Sequence, residues 1–593
     1  MQVGIDTGGT FTDLVSDDGR VVKVPSTPDD PARAVATAID TLGAGRPSWL
    51  AHGTTVATNA LLQGRGAPVA LVTTRGFADV IEIARQARPS LYDIWHDRPP
   101  PLVPRELRFE VGGRLDAQGH EIEPVDAAAM PEIPRDVAAV AVCLLHADLN
   151  PAHERLVADV LRIQGFDVTC SHEVSPEFRE YERTVTTVAN ARLRPLCRDY
   201  LASLASLADE VLVMTSAGGL VPLADGADLP AALLLSGPAG GVRAAAAVAA
   251  ACGFPDAVSF DMGGTSTDVC LVRGGAPEPA PTRVIAGYPI RLPALDVHTI
   301  GAGGGSIARI DPGGALVVGP ESAGADPGPA CYGHGGTRPT VTDADLVAER
   351  IPRGHPFPGL GRLDVVAARR ALDEAGVSAE GVITVVDAAM EQAVRAVTVA
   401  RGVDPRDLAL VAFGGAGPLH ACAVADALGM PAVIVPPRAG VLSAVGLLGS
   451  PRRRELVRSW TEGTDPALLA TALQSLGHEA RRQVGDDATV ETSLDCRYLG
   501  QSHEITVASV DAFPAAHDER NGYVRPDTPV EVVALRARAS TRSPRSLTDL
   551  PARPRATVTG PAVAAESDCT VYVPAGWRAE PGPVGAWILR RTA

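Results

Sequence analysis

Lysine is almost absent from this sequence. Lys23 is the only lysine among the 53 basic residues of a chain of 593 residues. A Walker A loop contains Gly-Lys-Ser/Thr, so the chain has no such loop, and a Schiff base could form only at Lys23, which we expect in a surface hairpin. The Gly-x-Ser-x-Gly elbow and the His-Glu-x-x-His zinc motif are missing too. These absences exclude P-loop nucleotide binding and the standard hydrolase signatures.

Cysteine pairs, long apolar runs and an excess of positive charge are missing as well. The nine cysteines include no Cys-x-x-Cys pair, which predicts reduced thiols in a cytoplasmic protein. No apolar run approaches the roughly 18 residues that cross a bilayer, and the strand-like start, which carries Asp6, predicts that there is no signal peptide. The net charge of -17 argues against partners such as nucleic acid or an anionic membrane.

A ten-residue pattern occurs twice, as GIDTGGTFTD at Gly4–Asp13 and as FDMGGTSTDV at Phe260–Val269. Each copy predicts a strand that ends in an Asp, a Gly-Gly hairpin and a Thr-rich return strand. A single copy could be an ordinary hairpin, but two copies favour a pair of loops that hold a metal-bound nucleotide from both sides. The Asp residues can hold a divalent cation, the glycines let backbone N–H groups approach phosphate, and the hydroxyls add donors. The residues in these roles are Asp6 and Asp261 for the metal, and Gly8, Gly9, Thr10, Thr12, Gly263, Gly264, Thr265 and Thr267 for the phosphates.

Two further stretches predict a strand that runs through a turn into a helix. In residues 407–428 the turn is Gly-Gly-Ala-Gly, with glycines at Gly414, Gly415 and Gly417. It resembles the adenosine motif of the actin-like ATPase superfamily, which implies that a purine and ribose lie against these glycines, unless the turn is simply tight. In HGTTVATNAL, residues 52–61, the start of the helix could receive an anion or a carbonyl oxygen. The alternative for this second stretch is that a threonine only caps the helix. Its candidate substrate residues are His52, Thr54, Thr55 and Asn59.

The two repeats resemble the phosphate-1 and phosphate-2 signatures of the actin-like ATPase superfamily, and GIDTGGTFTD is similar to the start of the hydantoinase A / 5-oxoprolinase family. Residues 300–310, 318–336 and 340–347 match that family nearly residue for residue, although Asp345 stands where the family usually has Asn. The resemblance implies an α/β fold, with a two-lobed actin-like ATPase (ribonuclease H-like) core and a smaller β-rich C-terminal domain. We expect an N-terminal lobe at 1–190, an ATPase lobe at 191–450 and the C-terminal domain at 451–593.

The resemblance also implies an activity, the ATP- and Mg²⁺-dependent opening of a cyclic amide through phosphorylation of its carbonyl oxygen. It implies that the chain is the ATP-binding A subunit and works with a hydantoinase B-like subunit. One alternative is the phosphorylating subunit of a ketone carboxylase. Another is a non-enzymatic ATP-driven switch, against which the intact HGTTVATN and AGGGS segments argue. No general base is identified, since His298, His420 and His503 are all more typical of structural hydrogen bonding.

Overall fold

The computed structural model describes the chain apart from residues 28, 355, 358–360, 547, 548, 552 and 593. The N-terminal lobe is built on a six-stranded sheet. Three antiparallel strands form one half, and the other half consists of two strands parallel to the first of them and one antiparallel strand at the edge. In spatial order the strands are Leu220–Pro222, Glu210–Met214, Trp49–Thr54, Gln2–Thr7, Phe11–Ser16 and Val21–Pro25.

The second lobe repeats this arrangement around a nine-stranded sheet. Ala257–Met262 pairs antiparallel with Thr267–Arg273 and parallel with Ala409–Phe413, as Gln2–Thr7 pairs with its own two neighbours. The registers are equivalent, because Asp6 lies opposite Asp13 and Asp261 lies opposite Asp268. The sheet continues through four further strands, which are Val433–Val435, Trp587–Arg591, Trp577–Pro581 and Val558–Thr559. On the other side, Ala276–Pro277 and Val297–Ile300 both pair with Thr267–Arg273.

Two helices join the lobes at the back of the cleft between them. Ser236–Ala251 packs on both sheets, and Leu442–Leu448 packs on Gln2–Thr7 and on the first helix. The helices touch backbone to backbone, since a Cβ built at Gly446 would lie 1.9 Å from the carbonyl oxygen of Gly240. Small residues are required where two helices approach this closely. This contact therefore fixes how the two lobes are joined.

A four-stranded parallel sheet with its own core is inserted into the N-terminal lobe. The long helix Glu180–Leu204 packs against it and against helices of the lobe. Glu180–Leu204 thus connects the insertion to the six-stranded sheet. The strands of the inserted sheet, in spatial order, are Val168–Cys170, Ala139–Cys143, Val69–Thr74 and Arg108–Val111. The helix Ala152–Ile163 follows the second of these strands along the chain.

The C-terminal region begins with a four-stranded antiparallel sheet that is covered by the helix Pro466–Val484. Its core contains Tyr498 and Phe513, whose rings meet edge to face at 4.9 Å. The strands, in spatial order, are Arg453–Ser459, Val530–Ser540, Thr489–Tyr498 and Ile505–Val507.

Shorter elements complete the lobes. The remaining helices are Pro31–Leu42, Val56–Leu62, Val80–Ile83, Ser171–Val174, Leu223–Asp228, Val341–Val347, Val365–Glu374, Ala379–Val397, Gly417–Leu428 and Phe513–Asn521. The remaining strands pair as hairpins or short ribbons, and they are Arg114–Leu115, Glu121–Glu123, Pro279–Ala280, Arg283–Ile285, Tyr288–Ile290, Ala294–Leu295, Ser306–Ile310, Leu316–Ser322, Pro356–Phe357, Gly361–Arg362, Ala562–Ala565 and Thr570–Val573.

The predicted fold class is confirmed: the chain has a two-lobed α/β core and a sheet-rich C-terminal region. The three-part division stays a prediction. Its boundary at residue 190 lies inside the helix Glu180–Leu204, and the N-terminal sheet takes two strands from beyond it. Three of the strands from residue 558 onward, which are Val558–Thr559, Trp577–Pro581 and Trp587–Arg591, belong to the sheet of the second lobe, not to that of the C-terminal region. No helix in the described part of the chain is long and apolar enough to cross a membrane.

The contact between the two joining helices generates a stability prediction. Gly446→Ala should lower the free energy of unfolding by about 1–3 kcal/mol, because the added methyl group forces the helices apart. Urea unfolding followed by circular dichroism measures the effect. Ala250→Ser, at an exposed position of the same helix pair, is the matched control and should change little. Equal midpoints for Gly446→Ala and the wild type would contradict the close contact.

Candidate functional site

A cavity of about 320 Å³ opens between the two lobes, and both copies of the repeated pattern line it. The predicted residues that line the cavity are Asp6, Gly8, Gly9, Thr10, Thr55, Asp261, Gly263, Gly264, Thr265, Gly414 and Gly415. The structure therefore brings most of the predicted metal, phosphate and adenosine residues into one cleft, together with one of the predicted substrate residues.

The two Gly-Gly hairpins have the same backbone geometry. The Gly8 amide donates to the carbonyl of Phe11 at 3.0 Å, and the Gly263 amide donates to the carbonyl of Ser266 at 3.0 Å. The hairpins also meet across the cleft, since a Cβ at Gly264 would lie 3.6 Å from Thr10 Oγ1. A ligand in the cleft therefore contacts hairpin backbone from both lobes.

Two pairs of carboxylates lie at the base of the hairpins. Burial and, after it, the neighbouring charge of Asp13 raise the pKa of Asp6 to about 7, against the opposing charge of Lys23. Burial also raises the pKa of Asp261 well above the usual carboxyl range, and the charges of Asp268 and Asp6 act in the same direction. Burial raises the pKa of Asp268 to about 6, against the hydrogen bond from Thr299. Carboxylates this close together resist ionisation unless a cation shares the cleft.

One oxygen in this cluster has no partner among the described residues. Asp6 Oδ1 is buried without a hydrogen bond. A Cβ at Gly53 would lie 2.6 Å from this oxygen, and one at Gly414 would lie 2.4 Å from Asp261 Oδ1. The glycines therefore let the neighbouring strands close around both carboxylates. Unpartnered carboxylate oxygens are the donors that a hard divalent cation prefers, so the residues present fit such an ion.

The other predicted phosphate and adenosine residues lie behind the cleft wall. Thr12 is fully buried and its hydroxyl lies 3.1 Å from that of Ser26, which in turn donates to the carbonyl of Gly8. Thr267 is fully buried and donates to the carbonyl of Ala302 at 2.6 Å. These two threonines anchor the hairpins from behind. Gly417 is buried at the start of the helix Gly417–Leu428.

The predicted substrate residues also divide into one that lines the cleft and three that do not. His52 is fully buried, with Nδ1 3.2 Å from the carbonyl of Ile5 and Nε2 2.6 Å from the hydroxyl of Tyr200, and burial lowers the pKa of His52 to about 4. Thr54 is 2% exposed and its hydroxyl accepts from the Val56 amide, which is the helix-capping alternative. Thr55 faces the cleft and donates to the carbonyl of Thr7. Asn59 donates to Thr55, so it supports the one residue of the four that reaches the cleft.

Comparison with known proteins agrees with this geometry. The family model described as hydantoinase/oxoprolinase matches residues 183–455, and its N-terminal-region model matches residues 2–165. Caprolactamase subunit alpha of Pseudomonas jessenii is 34% identical over 99% of both chains. The chain belongs to the hydantoinase/oxoprolinase family.

Other members of the hydantoinase/oxoprolinase family are similar over most of this chain. The 5-oxoprolinase 1 of Arabidopsis thaliana is 33% identical over 85% of this chain and 46% of its own length. The acetophenone carboxylase gamma subunit of Aromatoleum aromaticum is 33% identical over 84% of this chain and 77% of its own. The crystal structure of the ATP-dependent caprolactamase from Pseudomonas jessenii superimposes with a TM-score of 0.85, at 31% identity and over the full length of both chains.

The glycine-rich segment at residues 303–305 supports the second hairpin of this hydantoinase/oxoprolinase chain. The Gly304 and Gly305 amides donate to the carbonyls of Gly263 and Gly264, at 3.0 and 2.6 Å. Thr342 then donates to the carbonyl of Gly304 through its amide and its hydroxyl. The three segments stack as layers, which explains a motif that the sequence left without a role.

Asp345, where the family resemblance leads us to expect Asn, lines the cleft and is 1% exposed. His420 lies fully buried behind it, with Nε2 3.2 Å from Asp345 and Nδ1 2.6 Å from Asp387. Burial lowers the pKa of His420, but the two carboxylates outweigh it and raise the pKa to about 10. Both ring nitrogens of His420 are therefore engaged by carboxylates, and His420 does not line the cavity. His503 is exposed and His298 half-buried, and neither lines the cavity.

Sequence reasoning missed several residues of the cleft. Asp13 and Asp268 are the last acidic residues of the repeated patterns, and their spacing from Asp6 and Asp261 was a usable signal. Lys23 lies in the predicted hairpin, on the strand Val21–Pro25, but its side chain lines the cleft, which the sequence did not indicate. No sequence signal indicated the C-terminal turn at residues 566–570, which also lines the cavity.

A polar cluster outside the cleft is satisfied internally. Glu154 accepts hydrogen bonds from the Leu144 amide, from the Ser171 hydroxyl and from two nitrogens of His172. Cys170 lies beside it, and burial and the charge of Glu154 raise the pKa of that thiol. Because every carboxylate oxygen of Glu154 already has donors, the cluster serves the fold of the inserted domain.

The raised carboxyl pKa values generate a pH prediction for the protein in EDTA. Asp6 is still protonated in the folded state where its unfolded counterpart has ionised, so stability should fall as the pH rises from about 4 to about 7. Asp6→Asn should therefore be more stable than the wild type near pH 8, by about 1–2 kcal/mol after solvent screening in the open cleft. Thermal unfolding at several pH values measures the difference.

The control for this experiment is Asp40→Asn, at an exposed position of the helix Pro31–Leu42. It should follow the wild-type pH profile. The measurement is made near pH 8 in EDTA, about one unit above the raised pKa. An Asp6→Asn protein that is less stable than the wild type there would contradict the inference that burial raises the pKa of Asp6.

Proposed function

We propose that this chain is the ATP-binding subunit of an enzyme that hydrolyses a cyclic amide, such as a hydantoin, 5-oxoproline or a lactam. The observation that carries the proposal is the pair of equivalent Asp/Gly-Gly-Thr hairpins that face one another across a single cleft. Full-length similarity to a protein named caprolactamase subunit alpha supports the same conclusion. The hairpins hold the nucleotide phosphates, and the turn at Gly414 and Gly415 receives the adenosine.

The charge of the cleft supports a requirement for Mg²⁺. Seven acidic side chains and one basic side chain line the cavity among the described residues. A nucleoside triphosphate would be repelled from such a cleft unless a divalent cation entered with it. Asp6 and Asp261 would hold the ion, and the ion would neutralise phosphate charge when bound.

The chemistry follows from the inertness of an amide. The carbonyl oxygen of the substrate attacks the γ-phosphorus, the bond to the bridging oxygen breaks, ADP leaves and the amide proton passes to solvent. Water adds to the activated carbon, the carbon–nitrogen bond breaks as the amine takes up a proton, and a second water releases phosphate from the acyl phosphate. This chain contributes the positioning of the phosphates and of the substrate oxygen.

The proposal includes a second, hydantoinase B-like subunit. The relative that matches along the whole chain is named as a subunit, which supports an assembly of more than one chain. The described cleft residues supply carboxylates, hydroxyls and backbone donors, but both nitrogens of His420 lie against carboxylates and both nitrogens of His52 are hydrogen-bonded. The partner would therefore supply the groups that activate water.

A ketone-phosphorylating subunit of a carboxylase is the second candidate. The acetophenone carboxylase gamma subunit, 33% identical over 84% of this chain, favours it. Both reactions begin with phosphoryl transfer to a carbonyl or enolate oxygen, so the substrate that stimulates ATP consumption distinguishes them.

The decisive measurement is ADP release with MgATP across hydantoins, 5-oxoproline, lactams and small ketones, with and without the B-like partner. A cyclic amide should stimulate release. Asp6→Asn and Asp261→Asn should each lower the stimulated rate by about 100-fold or more, because an amide group cannot balance the cation. Asp40→Asn, an exposed position, should retain the wild-type rate.

Three outcomes would change the conclusion. Stimulation by a ketone alone would establish the carboxylase alternative. ATP hydrolysis that no substrate changes would favour an ATP-driven switch. Failure to bind MgATP would overturn the assignment of the cleft.

A further inference from the structure

Lys23 is the one basic side chain that lines the cleft in the part of the chain that the structure describes. The arginines closest to the C-terminal edge of the cleft are engaged elsewhere. Arg553 pairs with Asp568, and Arg555 pairs with Glu566 at 2.7 Å while it also donates to the carbonyl of Val435. The two arginines balance the charges of Asp568 and Glu566, so these carboxylates do not attract a further cation in the cleft. The positive charge that faces a ligand comes from Lys23.

The position of Lys23 is fixed by the first hairpin. Its strand pairs with Phe11–Ser16 so that Lys23 lies opposite Asp13, and Nζ approaches Asp13 Oδ1 at 2.6 Å. The ammonium also lies 5.1 Å from the centre of the Phe11 ring. The side chain is 19% exposed. An ammonium has three donors, and Asp13 is its one hydrogen-bond acceptor among the described residues.

The charge of Lys23 reaches the carboxylates of both lobes. It lowers the pKa of Asp6, of Asp13 and of Asp261 against the larger effect of burial. A side chain that acts on carboxylates from two lobes must lie near the middle of the cleft, because charge interactions weaken with distance. The two hairpins that flank it are those that would receive phosphate.

We propose that Lys23 is a phosphate-binding residue of the nucleotide site, held ready by Asp13. The inference rests on the proposed function and deepens it, since it assigns the cationic group that the hairpins themselves lack. Asp13 orients the ammonium, and the two remaining N–H groups donate to phosphate oxygens. An ammonium is a compact point charge, whereas a guanidinium is a wide planar fork. The chain uses arginine at every other basic position, which indicates that this position requires the smaller group.

A single lysine permits an unusually direct test. An ATP derivative that carries an acyl group on its γ-phosphate transfers that group to a nearby amine. The amine nitrogen bonds to the acyl carbon, the carbon–oxygen bond to phosphate breaks, ATP leaves and the nitrogen releases a proton. The expected result is one adduct on Lys23, located by mass spectrometry and suppressed by excess ATP. The N-terminal amine is the internal control.

Binding measurements test the same inference without covalent chemistry. Lys23→Met should weaken ATP binding by about 10- to 100-fold, the effect of removing a charged hydrogen-bond donor, and should change AMP binding much less. Lys23→Met leaves Asp13 unpaired, so the double variant Lys23→Met/Asp13→Asn keeps the test valid if the single variant folds poorly. Arg33→Met, at an exposed position of the same lobe, is the matched control.

The outcomes separate this inference from the proposed function. If an amide still stimulates ADP release but Lys23 stays unlabelled, or the double variant keeps the wild-type preference for ATP over AMP, the inference fails and the function stands. If the wild-type protein binds no MgATP, both are overturned.

Discussion

The structure depends on two carboxylates, Asp6 and Asp261, that face the same cleft from different lobes. Each is placed there by a strand that pairs in the same register with the return strand of its hairpin. Each is surrounded closely because a glycine on the neighbouring strand leaves room. Burial and neighbouring carboxylates raise both pKa values, so ionising the two residues is unfavourable unless a cation balances them. The charge of the cleft is therefore coupled to cation binding.

The rest of the fold resists that repulsion. The joining helices touch at Gly240 and Gly446 and fix the back of the cleft. On another side, the buried carboxylate of Glu177 pairs with Arg291 at 2.6 Å and with Arg536 at 3.4 Å, which ties the N-terminal lobe to the C-terminal sheet. Breaking a buried network of this kind leaves an uncompensated charge. The joining helices thus hold the two lobes together at the back of the cleft, and the Glu177 network holds the C-terminal sheet against the N-terminal lobe.

Local sequence was sufficient to predict the hairpins, because a strand that ends in Asp-x-Gly-Gly-Thr specifies its own turn. The family resemblance then supplied the two-lobed fold and its ATP dependence. The cleft position of Lys23 was not predictable from local pattern, since it depends on how its hairpin faces the second lobe. The cleft position of residues 566–570 depends on the C-terminal strands that join the sheet of the second lobe. His52 is the opposite case, because its motif was recognised but its burial was not. The His52 side chain faces the core of its lobe, where it contacts Tyr200, and the sequence pattern does not show which side of the strand faces the cleft.

The two lobes share a scaffold but differ in charge, so the two sides of the cleft differ electrostatically. In the N-terminal lobe, the second Asp of the hairpin is paired with the ammonium of Lys23. In the second lobe, the Thr299 hydroxyl, at 2.5 Å, is the one side-chain donor to the equivalent Asp268 among the described residues. When all four carboxylates are ionised, the second pair carries more uncompensated charge than the first. Under the proposed function, this asymmetry would draw the cation towards Asp261 and the phosphate oxygens towards Lys23.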